Sequence, residues 1–211
     1  SREFAQYAQH CRGVIETLLN GGVPPYYCTT VSDANVQGVG VTVSVPGTDG
    51  VITASKLSWK QTVPLQATIF SLCENVYKAD VRGGLKVGDF QVHLAVANDT
   101  AMHGTATDSD LGGIDPQHRG ILVTQGKRSS WEFDPNRSAS ELLDAAMQSA
   151  GIDEPAMTQV FSFAVQSTDE RVSIATKPTA VAGQNIRPPA VAGSFYPGDP
   201  KQMSGMLDSM L

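Results

Sequence analysis

Acid–base chemistry needs a group that titrates near neutrality beside a group that steers it. One stretch of this 211-residue chain gathers both kinds: His103, Asp108, Asp110, Asp115, His118 and Arg119. Histidine and carboxylate oxygens also suit a divalent metal, but their spacing here matches no ligand signature. Three readings stay open for this segment. It is a metal site, an acid–base or nucleophilic centre, or a solvated loop in which Arg119 pairs with an aspartate and His118-Arg119 clamps the loop to a sheet. His93 falls mid-strand on a polar face and His10 on a helix surface, and both read as structural or exposed histidines. Gly38-Val39-Gly40 resembles a dinucleotide fingerprint only in part, because its glycines lie inside an alternating strand and not between a strand and a helix. Glycine inside a strand marks a bulge or a close backbone approach. The chain holds no P-loop, no Gly-x-Ser-x-Gly elbow and no His-Glu-x-x-His.

The elements that must position these groups follow from periodicity. Phe4, Tyr7, Cys11, Ile15 and Leu18 recur at helical spacing, and Gly21-Gly22 with Pro24-Pro25 ends that helix. Val39, Val41, Val43 and Val45 alternate with small or polar residues, a strand with one buried face. Pro46 to Gly50 is a turn, and Val51 to Leu57 returns as its hairpin partner. Thr62-Val63-Pro64 opens a helix carrying Leu65, Ile69, Leu72, Cys73 and Val76. Phe90 to Ala97 alternates as another strand. Residues 98–118 show no period and read as one long loop, functional or mobile. Two short strands flank Gln125-Gly126-Lys127. Ser138 with Glu141 forms a capping box before the stripe of Leu142, Leu143, Ala146 and Met147. Val160 to Val165 is the last clear strand, and Val172 with Ile174 extends the sheet. Hairpins without regular βαβ alternation predict an α+β fold, a mostly antiparallel sheet flanked by about three helices. Trp59 and Trp131 read as core or as contacts to a partner.

Composition limits the partners. Lys plus Arg is 15 and Asp plus Glu is 21, a net charge of −6, which opposes nucleic acid or an anionic membrane as the main partner. No run is apolar enough to span a bilayer. Cys11, Cys28 and Cys73 are odd in number and far apart, so reduced thiols and a cytoplasmic location are expected. Residues 177–186 are small and aperiodic and read as a linker. Beyond them Asp199-Pro200 opens a helix with Met203, Leu207 and Met210 on one side. So short a tail cannot form its own core, which predicts the start of a further domain.

Arg187-Pro188-Pro189-Ala190-Val191-Ala192-Gly193-Ser194-Phe195-Tyr196-Pro197, with the Met203/Leu207 stripe, resembles the opening of a Memo-family domain. That family resembles class III extradiol dioxygenases in fold and carries a His/Cys-type metal site. The resemblance implies that its ligands lie beyond Leu211, so no cofactor or metal is expected within these residues. Upstream, the element order, Gly38-Val39-Gly40-Val41-Thr42-Val43, the Asp49-Gly50 turn and His118-Arg119-Gly120-Ile121-Leu122-Val123 resemble an AMMECR-family domain. AMMECR and Memo domains occur together with a radical SAM protein in the AmmeMemoRadiSam system. The family's hallmark, Leu-Arg-Gly-Cys-Ile-Gly, is replaced here by Ile52-Thr53-Ala54-Ser55-Lys56-Leu57. Thr53 and Ser55 therefore stand where the family has its arginine and cysteine.

These readings predict an AMMECR-like domain over residues 1–176, a linker over 177–186 and an incomplete Memo-like domain over 187–211. The expected function is accessory or regulatory, with the Memo-like domain as partner in cis and a radical SAM protein in trans. The alternative is a metal-dependent or hydrolytic enzyme with a loop pocket around His103, Asp115, His118 and Arg119.

Overall fold

A computed structural model describes residues 2–80 and 84–176. The linker and Memo-like segment expected at 177–211 lie outside the described residues. Helix α1 (Arg2–Leu19) buries Phe4, Tyr7, Cys11, Val14 and Ile15 and ends at Gly21, whose φ of 70° is left-handed. Strands β1 (Asn35–Val36), β2 (Gly38–Ser44), β3 (Val51–Leu57) and β4 (Val63–Pro64) follow. Helix α2 (Leu65–Ala79) begins directly after Pro64, which serves as its N-cap. Next come β5 (Gln91–Thr105), β6 (Asp108–Ser109), β7 (Arg119–Gln125), β8 (Arg128–Phe133), α3 (Ala139–Ala150), β9 (Gln159–Ser167) and β10 (Val172–Thr176). The Ser138/Glu141 capping box is formed, and Gly151 closes α3 in the left-handed conformation.

The main sheet runs β10-β8-β7-β9-β5-β2-β3, with β6 paired to the end of β5, and every pairing is antiparallel. β1 and β4 form a separate two-stranded ladder. The fold is therefore α+β with a mostly antiparallel sheet and three helices. Among the described residues, no helix is long and apolar enough to cross a membrane.

Strand periodicity sorts side chains to two faces. On the outer face, Val39, Val41, Val43, Leu94 and Val96 pack with residues of α1 and α2. Further along that face, Ile121, Val123 and Val160 pack with Leu142, Leu143 and Ala146 of α3. On the inner face, Leu122, Trp131, Phe133, Phe161, Phe163, Val172 and Ile174 form a third core. Full burial of each large apolar side chain contributes roughly 1.5–3 kcal/mol, so both faces are held.

Gly40 explains why the sheet curls. A β-carbon there would overlap the Cδ1 of Ile174 and lie 3.0 Å from the Cζ2 of Trp131. Those residues belong to β10 and β8, separated from β2 in the sheet by β7, β9 and β5. The far edge thus folds back over β2 into a near-barrel, and glycine in the strand marks the close approach that its position predicts.

The expected loop at 98–118 needs correction. β5 continues through it to Thr105, pairing with β9 across two register shifts, at Asn98/Ala101 and Met102/Gly104. Each bulge moves the following side chains to the opposite face, which erases the alternation that a strand shows in sequence. Asp99, in the first bulge, has φ 51°. Trp131 is core at 2% exposure, whereas Trp59 is partly exposed, stacked on Phe161 at 5.2 Å between ring centroids.

Candidate functional site

The residues expected to line a loop pocket divide into two sets. His103 sits on β5 and not in a loop. Its Nδ1 lies 2.9 Å from the carbonyl oxygen of Asp110, and its Nε2 lies 2.7 Å from Ser162 Oγ. Ser162, on β9, is 1% exposed. Arg119, at the start of β7, donates from Nε to the same hydroxyl at 3.1 Å. Its two terminal nitrogens hold the Asp99 carboxylate at 2.7 Å and the Asp99 backbone carbonyl at 2.5 Å. Arg119 thus fastens the first β5 bulge to β7, through one carboxylate oxygen and the backbone carbonyl of Asp99. Asp115 and His118 pair with each other at 2.8 Å on an exposed turn. The His118 imidazole, followed by the Gln117 backbone N–H, holds the Asp115 carboxyl below its usual range. Asp108 opens β6, and Asp110 turns back to accept the Gly112 N–H at 3.1 Å. Among the described residues, no cluster of three or more His, Cys, Asp or Glu is placed to hold a metal ion.

A different region has the form of a binding site. Where the inner face curls shut, a cavity of about 310 Å³ opens between β2, β5 and β10. This volume is at the small end of the roughly 300–1,000 Å³ range of ligand pockets. Its walls are apolar at Ala95, Val172 and Ile174 and polar at Thr42, Ser44, His93, Ser167, Asp169 and Arg171. Strand pairing fixes part of this set, since Thr42 stands opposite His93 on β5 and opposite Thr53 on β3. The turn between β9 and β10 supplies Asp169 and Arg171. Thr168 staples that turn to β5, its N–H donating to the Leu94 carbonyl at 3.0 Å and its Oγ1 accepting the Leu94 N–H at 2.9 Å. The staple sits next to His93 and sets Asp169 Oδ2 3.8 Å from His93 Nδ1. That Nδ1 is buried and has no hydrogen-bond partner among the described residues. A buried polar atom without a hydrogen bond costs about 1–3 kcal/mol, so this nitrogen favours a polar neighbour.

Of the two hallmark equivalents, Thr53 adjoins this cavity through Thr42 and Ser55 does not. Thr53 Oγ1 lies 3.2 Å from Thr42 Oγ1, and Val51, on the same strand, lines the cavity. Ser55 lines a separate cleft of about 260 Å³ between β3 and α2. In the sequence His93 reads as a structural or exposed histidine, and Asp169 and Arg171 match no motif. Asp169 and Arg171 sit in a turn far along the chain from His93. The only local sign was a polar cluster between two strand patterns.

No family model and no curated protein matches the chain. Among solved structures it is similar to the crystal structure of an uncharacterized protein from Pyrococcus horikoshii, at 19% sequence identity and a TM-score of 0.57. The match covers 78% of this chain and 89% of that one. At this identity the likeness establishes the fold alone, an α+β architecture compatible with the AMMECR-like arrangement expected from sequence.

Proposed function

We propose that this chain is an accessory or regulatory AMMECR-like domain serving a Memo-type domain joined through residues 177–186, with a radical SAM protein as a further partner. One observation supports an accessory role most directly. Two of the candidate catalytic side chains are engaged in holding strands, His103 and Arg119 on Ser162 and Arg119 on Asp99, while Asp115 pairs with His118 on an exposed turn. The region left open is the concave cavity beside His93, suited to binding. The likeness in fold and the Memo-like sequence at 187–197 agree with this reading.

The test uses the full-length protein, including whatever follows Leu211. Cross-linking and the metal content and activity of the Memo-type domain are compared with and without residues 1–176. Cross-links from one face of the body, with changed activity on its removal, support the proposal. A body without inter-domain cross-links, whose removal changes neither metal content nor activity, overturns it.

A second reading has its own observation. Ser162, His103 Nε2 and the Asp110 carbonyl on His103 Nδ1 stand in the order nucleophile, base, orienting group. Against it, the hydroxyl is 1% exposed. Covalent labelling of Ser162 by a small fluorophosphonate would favour the enzyme.

A further inference from the structure

We infer that the cavity beside His93 binds a small zwitterion with an apolar side chain, of the class of free α-amino acids. The inference rests on reading this cavity as the domain's working site. Three features define the ligand. First, of the charged residues of the β9–β10 turn, Asp169 and Arg171, two residues apart, line the cavity. A simple anion would meet repulsion from Asp169 and a simple cation repulsion from Arg171, whereas a zwitterion engages both. Second, Ala95, Val172 and Ile174 provide an apolar floor. Third, the buried His93 Nδ1 has Asp169 Oδ2 at 3.8 Å and no hydrogen bond among the described residues, so a polar group of the ligand can bond it.

Arg171 is available for this role. Its Nε lies 3.7 Å from Asp134 Oδ2, beyond hydrogen-bond distance, and the same carboxylate oxygen is 3.6 Å from Arg137. That carboxylate is shared by two guanidiniums, so it does not saturate Arg171. Asp169 is steadied from its own turn, its N–H donating to Ser167 Oγ at 3.1 Å, while its carboxylate lies 3.8 Å from His93 Nδ1.

The test is calorimetric titration of the protein with L-leucine, with 4-methylpentanoate (the same chain without the amine) and with isopentylamine (without the carboxylate). Leucine is expected to bind at least about tenfold tighter than either, the worth of one charge-assisted hydrogen bond. Asp169→Asn should weaken leucine about tenfold and improve 4-methylpentanoate, and Arg171→Gln should weaken leucine and improve isopentylamine. Both side chains are on an exposed turn, and unchanged melting temperatures verify that the variants fold. The assignment is overturned if none of the three binds at millimolar concentration, if the carboxylate alone binds as tightly as leucine, or if leucine binds both variants as it binds the parent. The accessory role fails separately, in the cross-linking and activity comparison, whatever these titrations give.

Discussion

Replacing Gly40 with alanine tests whether the sheet closes on itself. On an ordinary strand this change stabilises, because glycine in a strand interior costs roughly 0.5–1 kcal/mol relative to alanine. Here the new methyl would overlap Ile174 Cδ1 and stand 3.0 and 3.2 Å from two Trp131 ring carbons. Ile174 is 4% and Trp131 2% exposed, so the new methyl meets packed side chains. Overpacking of this kind costs about 1–3 kcal/mol, which reverses the usual sign. In a chain of this size each kcal/mol lowers the melting temperature by about 2–4 °C. Ile174→Val removes the overlapping Cδ1 and alone costs about 0.5–1.5 kcal/mol. The double variant should therefore be less destabilised than the sum of the two by about 1 kcal/mol. Urea unfolding of the parent, both single variants and the double variant measures that coupling. A stabilising Gly40→Ala, or additivity within about 0.5 kcal/mol, would mean that β2 and β10 do not meet and would refute the curled sheet.

Three further outcomes are expected. Ser162→Ala leaves His103 Nε2 and Arg119 Nε without their shared partner and should cost about 1–3 kcal/mol in urea unfolding, while ligand binding at the concave cavity is unchanged. Thr168→Val removes the acceptor of the Leu94 N–H; it should cost about 1 kcal/mol and speed amide exchange through Asp169 and Arg171. Ser138→Ala should alter the pH dependence of stability. The Ser138 backbone N–H, and after it the Ser138 hydroxyl, hold the Glu141 carboxyl below its usual range. A depressed carboxyl contributes stability above its unfolded pKa, and that contribution is lost as pH falls through the lower folded value. Thermal melts of Ser138→Ala across the acid range should show a shallower loss than the parent, because only the backbone donor remains.

Most of the fold was legible where a pattern is local. The α1 stripe, the Val39–Val45 alternation and the Ser138/Glu141 box each report their own element, and each element formed there. The second half of β5 was not legible. Its partner β9 lies about sixty residues away, and two bulges break the period of two that identifies a strand. His103 therefore read as a loop residue although it stands on a strand. The site followed the same division. Arg119 as a clamp could be anticipated from its neighbouring aspartates, and Asp99 is the aspartate it holds. The pairing of His93 with Asp169 could not, because Thr168 creates it by a contact across seventy-four residues.

We propose that the domain works at the concave cavity and that the His103–Ser162–Arg119 network is structural. An amide NMR titration with L-leucine separates the two sites in one experiment. The predicted result is a set of shifts confined to Thr42, His93 and the turn from Ser167 to Ser173. Shifts centred on His103, Ser162 and Arg119, or no shift at any concentration, would contradict it.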